Sequence, residues 1–205
     1  MHLDYNEYKK LSREIIAEGV VLLENKNKSL PLGKDEKIAV LGRSSYDTIT
    51  SGTGSGGLVN IPYVVSIRDA LAERFAIAEE LDSSYLEWRK DHPFDKGEGW
   101  AMTPFSQVEM PLEEEALTKA SELASTAILT IGRTAGEDRD NEAVKGAYYL
   151  GEEEERLVQL ARKYFPKLIV FINAGNIIDL SWTKTYEGDA LLYVWQGGCE
   201  TGNGI

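Results

Sequence analysis

The sequence predicts an α/β fold: a doubly wound, mainly parallel sheet with helices on both faces, an α/β sandwich cut short at its C-terminal end. Three observations carry this. Four apolar runs, IAVLG at 38–42, TAILTIG at 126–132, LIVFIN at 168–173 and ALLYVW at 190–195, are each bounded by turn residues, as strands buried on both faces are. Amphipathic segments of helical length separate them, at 66–75, 112–124 and 152–165. Strands alternating with helices of that length imply parallel pairing with crossovers over both faces.

Taken in chain order, residues 5–18 place Tyr8, Leu11 and Ile15 at helical spacing, so an amphipathic helix is expected, ending at Gly19. The β-rich VVLL at 20–23 and the polar turn 24–33 complete an N-terminal helix and linker segment, 1–33, ahead of the sandwich domain, 34–205. AIAEEL at 76–81 reads as a further strand. The helix at 152–165 opens on four glutamates and closes on Arg162 and Lys163, as the helix dipole prefers. Two segments interrupt the alternation. Residues 82–111 are polar and aromatic, with Trp88, His92, Trp100 and Phe105; residues 133–150 join a strand to a helix through a connection far longer than usual. The closing QGGCETGNGI should lead into another helix.

A chain of 205 residues, 42% hydrophobic and 27% charged, suffices for one well-buried domain or two small ones. The net charge of −12, with no Lys/Arg-rich run, disfavours nucleic acid and anionic membrane surfaces as partners. No apolar stretch approaches the roughly 20 residues that span a bilayer, and the first residues lack a signal-like core, so a cytoplasmic location is expected. The lone Cys199 fits a reducing compartment and reads as a small hydrophobe, not a nucleophile. Only His2 and His92 are present, without a second ligand at metal spacing, which argues against a zinc site, a Ser-His-Asp triad or any metal cofactor.

SGTGSGGLVN at 51–60 satisfies G-x-G-x-x-G through Gly52, Gly54 and Gly57. A dinucleotide fingerprint must leave a strand and open a helix directly, whereas nine residues separate Gly42 from Gly52 and LVNIPYVV follows Gly57. The acidic residue expected about 20 positions on is matched only loosely, by Glu73, Glu79 or Glu80. The loop therefore reads as a surface turn or as a close approach for another backbone or a polyhydroxyl ligand. GRTAGEDRDN follows a central strand at its carboxyl end, where open α/β sheets place ligands, and sets Glu137, Asp138, Arg139 and Asp140 in succession. Such a run is commonly a solvated face; the loop's length, and Gly136 before Glu137, favour a functional tip.

Together VVLLENKNKSLPL, KIAVLGR, SGTGSGG, AGED with its downstream YYL and acidic helix start, VFINAGNIIDLSW and QGGCETGN resemble the second, α/β-sandwich domain of glycoside hydrolase family 3, β-glucosidase branch. The resemblance runs in the same order over nearly the whole chain. It implies a retaining β-glucosidase, without cofactor, that hydrolyses terminal β-glucosyl residues and whose apparatus is split. A (β/α)₈ barrel of the same polypeptide supplies an aspartate nucleophile, and a Gly-Glu loop of the sandwich supplies the general acid/base. Glu137, after Gly136, matches that glutamate, with Glu142 the next choice. Gly54, Ser55 and Gly56 match a segment near the leaving-group subsite. Arg139 and Asp140 are candidate substrate contacts, set closer to the glutamate than in the common family pattern.

A barrel needs around 250 residues and is not within these 205; it either precedes or follows, and an opening Met1 favours the sandwich-first order. The fragment alone is then expected to be inactive. Acid chemistry near neutrality calls for a raised pKa at Glu137, which Asp138 and Asp140 would promote and Arg139 oppose, with the larger rise coming from docking on the barrel. Trp88 and Trp100 would stack on a sugar, dock on the barrel, or merely cover the sheet edge. A non-catalytic ligand-binding or interaction domain is the alternative reading; a nucleotide-binding enzyme is the third.

Overall fold

The computed structural model describes residues 4–57 and 59–205; Met1 and His2 lie outside the described residues. Six strands form one sheet: β1 (Val21–Asn25), β2 (Lys37–Leu41), β3 (Ala76–Ile77), β4 (Thr126–Arg133), β5 (Lys167–Ala174) and β6 (Ala190–Tyr193). Their spatial order is β1-β6-β5-β4-β2-β3; all neighbours run parallel except β1, which pairs antiparallel with β6 at the edge. The apolar runs form the central strands as expected. Every residue of β4 is buried, and in β5 only Lys167 is partly exposed.

The described residues also form seven α-helices: α1 (Tyr5–Gly19), α2 (Arg43–Tyr46), α3 (Ile67–Ala72), α4 (Glu79–Asp91), α5 (Glu114–Leu123), α6 (Glu152–Tyr164) and α7 (Thr201–Gly204). Their caps follow the sequence. The Asp4 carboxylate accepts from the amides of Asn6 and Glu7 to start α1, and the Ser66 hydroxyl accepts from Asp69 N at the head of α3.

One expectation needs correction, and one face was left open. The strand at 76–81 is only Ala76–Ile77. From Glu79 the chain is helical, with Glu79, Glu80 and Asp82 in the first turn and Arg89 and Lys90 in the last. Leu81 and Tyr85 are spaced by four and both are buried, so the helical period governs here. The aromatic interruption therefore begins with a 13-residue helix. The first helix forms as expected; its Tyr8, Leu11 and Ile15 are exposed, while Ile16 is buried against Gly197 and Gly204. A helical apolar period fixes which residues share a face, but not which face docks.

In the sheet order, β3 lies beyond β2 on one side, while β4, β5 and β6 proceed on the other. The winding reverses between β2 and β4. Open α/β sheets place ligands outside the carboxyl ends of the strands at such a switch point. The chain leaving β2 runs on to the glycine-rich loop, and the chain leaving β4 is the long loop.

Candidate active site

The long loop is rooted by a charge that composition could not single out. Arg133, the last residue of β4, is 1% exposed. Its guanidinium donates to the carbonyls of Gly132, Ala147 and Tyr149 and forms a two-pronged pair with the Glu154 carboxylate at 2.5 and 2.6 Å. Glu154 also accepts from Gly151 N, so the capping of α6 and the loop closure share one carboxylate. A buried guanidinium must be paired and hydrogen-bonded, and both requirements are met by groups that bracket the loop.

From that root the loop rises beside the glycine-rich segment, whose Gly54–Gly57 form a short 3₁₀ turn. Thr53 N donates to Ala135 O at 2.9 Å, and Thr53 lies opposite Gly136 in a bridge. The approach is close enough to require glycine on both sides. A Cβ at Gly136 would lie 2.4 Å from Thr53 N, and one at Gly54 would lie 2.6 Å from Glu137 Cβ. The glycine pattern therefore serves backbone approach between two loops.

Glu137 is exposed. Its carboxylate Oε2 accepts two hydrogen bonds, from Ser55 N at 2.9 Å and from the Ser55 hydroxyl at 2.5 Å. Among the described residues it forms no ion pair, and its Oε1 accepts no hydrogen bond. The Ser55 hydroxyl and then the Ser55 amide hold the carboxyl below its ordinary value, against a small opposing effect of burial. In this chain the sign is opposite to the rise that acid chemistry requires. The side chains of Asp138, Arg139 and Asp140 contribute nothing to it.

The remaining candidates spread along both loops. Arg139 lies 4.3 Å over the Phe105 ring, and its Nε is buried without a partner. Asp140, Glu142, Ser55 and Gly56 are exposed, while Gly54 is buried. Asn141 Nδ2 donates to Ile177 O at 2.5 Å, leaving its Oδ1 unpaired, as are Thr53 Oγ1 and Asn176 Oδ1. The aromatic interruption touches this site through a residue other than its tryptophans: Pro104 and Phe105 offer carbonyls to Thr134, and Phe105 underlies Arg139. Trp88 is half-buried, stacked on His92 at 4.3 Å and covered by Arg43; Trp100 is exposed. Cys199 is a half-buried free thiol.

Ser55 and Glu137 are 82 positions apart, so only the GSG spacing hinted at a tight approach and nothing named its partner. Arg133 carried one legible sign, a lone cation ending an otherwise apolar strand.

Fold and site together define a doubly wound α/β domain that presents an exposed carboxylate at the switch point of its sheet. Residues 20–205 match the family described as "Glycosyl hydrolase family 3 C-terminal domain", and the chain belongs to that family. It is 44% identical over 203 residues to a "Beta-glucosidase" of Ruminococcus albus, an alignment spanning 98% of this chain and 21% of that protein. "Beta-glucosidase A" of Butyrivibrio fibrisolvens is 29% identical over 94% of this chain and 26% of its own length. A β-glucosidase structure from Paenibacillus barengoltzii superposes with a TM-score of 0.94 at 41% identity, covering all of this chain and 22% of that one. β-Glucosidase 3B of Thermotoga neapolitana in complex with glucose superposes at 0.86 with 32% identity, over 98% of this chain and 28% of that one. The chain thus spans between a fifth and three tenths of the relatives it matches.

Proposed function

We propose that this chain is the acid/base-bearing domain of a retaining β-glucosidase, acting on a terminal β-glucosyl residue held by a (β/α)₈ barrel of the same polypeptide. The observation that carries the reading is Glu137: an exposed carboxylate at the switch point of the sheet, with one oxygen free of protein hydrogen bonds. The β-glucosidase names of the relatives, and the small share of their length that this chain spans, support a site shared with another domain.

In a retaining mechanism two carboxyl groups about 5–5.5 Å apart flank the glycosidic bond. The barrel's aspartate attacks the anomeric carbon while Glu137, as the acid, delivers its proton to the glycosidic oxygen, and the aglycone leaves as an alcohol. Glu137, now a carboxylate, takes a proton from the water that cleaves the glycosyl-enzyme bond, and both groups return to their starting states. Since Ser55 lowers the Glu137 pKa in this chain, the rise needed for the acid step comes from the docked barrel, by exclusion of water and the nucleophile's negative charge. In this reading Arg139, Asp140 and the Gly54–Gly56 backbone would line the leaving-group side.

The test is Glu137→Gln in the complete polypeptide. Hydrolysis of a β-glucoside with a poor leaving group should slow by about 10²–10⁴-fold, an activated aryl glucoside should suffer less, and azide should restore part of the rate. The 205 residues alone should not turn over an aryl β-glucoside. Full activity of the variant would move the acid to Glu142, and robust turnover by the isolated chain would overturn the split site.

A further inference from the structure

We infer that Ser55 is a positioning residue for Glu137, fixing which carboxylate oxygen faces the glycosidic bond and how readily the group gives up its proton. This rests on the reading of Glu137 as the acid/base and adds a second residue, from a different loop, to its chemistry.

The argument starts from the chemistry of the donors. An ionised carboxylate has no proton to give, so the Ser55 hydroxyl must be the donor in the 2.5 Å contact, as the amide is in the 2.9 Å one. Both bonds fall on Oε2. Oε1 is left for a reacting atom, and the carboxyl plane is pinned by its other corner. Such an arrangement requires the two loops to touch, which the missing side chain of Gly54 permits. It also requires a fixed loop root, which Arg133 and Glu154 provide.

When Glu137 is protonated on Oε1, Oε2 becomes carbonyl-like and a weaker acceptor, so both Ser55 bonds favour the ionised form. Ser55 therefore assists departure of the proton in the first step and limits the basicity of Glu137 in the second. The lowered pKa has the Ser55 hydroxyl as its leading cause. Among the described residues no charged group hydrogen-bonds or ion-pairs with this carboxyl. The 51–57 segment carries no titratable side chain; on the long loop, Asp138, Arg139 and Asp140 leave the carboxyl unshifted, and Arg133 and Glu154 are spent on each other at the root.

The experiment is the pH dependence of kcat/KM in the complete polypeptide, for wild type, Ser55→Ala, Ser55→Thr and Glu137→Gln, on an alkyl β-glucoside and on a dinitrophenyl β-glucoside. The alkaline limb of kcat/KM reports the acid of the free enzyme. Ser55→Ala keeps the amide donor and loses the hydroxyl, so its alkaline limb should move to higher pH. Its kcat/KM on the alkyl glucoside should fall by about 10-fold, well short of the loss from removing the acid itself. The dinitrophenyl glucoside, which needs no protonation, should lose less than the alkyl glucoside does, and Ser55→Thr should restore the limb.

If Glu137→Gln is slow but the Ser55→Ala limb stays at the wild-type pH, the inference about Ser55 falls and that about Glu137 stands. If Glu137→Gln is as fast as wild type, the acid lies elsewhere and both fall. A melting midpoint equal to wild type separates either result from unfolding, since Ser55 is exposed.

Discussion

Arg133 and Glu137 stand four residues apart on one loop and carry charge in opposite ways. The first is sealed from solvent, with five hydrogen bonds and a carboxylate of its own; the second is exposed and, among the described residues, hydrogen-bonded by a single serine. The contrast separates the two demands on a loop that presents a reactive group. Its root must not move, because the group has to sit within a fraction of an ångström of a reacting atom. Its tip must stay uncommitted, because a carboxylate already paired with a cation has no proton to exchange.

The largest effect should come from cutting the root. Glu154→Ala leaves the Arg133 guanidinium buried and unpaired, and should cost about 3–5 kcal/mol in chemical denaturation. A loss below about 1 kcal/mol, the size expected of a surface pair, would erase the contrast between root and tip.

A smaller, pH-dependent effect concerns Glu109, whose buried carboxylate accepts from the amides of Arg43 and Met110 beside Tyr85. Burial raises its pKa from 4.5 to about 7, the two amides opposing. The folded value exceeds the unfolded one, so folding favours the protonated form. Its contribution is full below pH 4.5 and is lost as pH rises through about 7. Glu109→Gln should therefore gain on wild type across that window, by about 3 kcal/mol at the plateau, read from denaturation midpoints at several pH values. Parallel profiles for the two proteins would show Glu109 to be solvated.

The smallest effect should be at the tip. Glu137→Gln should leave stability within about 0.5 kcal/mol of wild type, as for an exposed side chain outside the core. A large destabilisation would make Glu137 part of the scaffold and remove the premise of an available acid.

Legibility in the sequence followed the range of the interaction concerned. The runs at 126–132 and 168–173 announced β4 and β5, because a strand buried on both faces must be apolar at every position. The length of 133–150 and its GED tip singled out this loop as the candidate site. The strand expected at 76–81 failed where two apolar residues gave way to a helix whose buried face is spaced by four. The first helix was legible as a helix, yet its apolar stripe at Tyr8, Leu11 and Ile15 lies outward while Ile16 packs against Gly197 and Gly204.

By itself, then, the sequence determined the four apolar strands, most of the helices, the long connection at 133–150 and the one glutamate set on a glycine-led tip. These follow from local rules: burial on both faces, helical period, chain stiffness. Only the tertiary structure decided that the winding reverses between β2 and β4, that Gly54 and Gly136 let two loops touch, and that Ser55 donates two hydrogen bonds to Glu137. Those facts depend on distances between residues far apart in the chain. Composition and spacing record what each segment tolerates locally, and carry no measure of which segment it will meet.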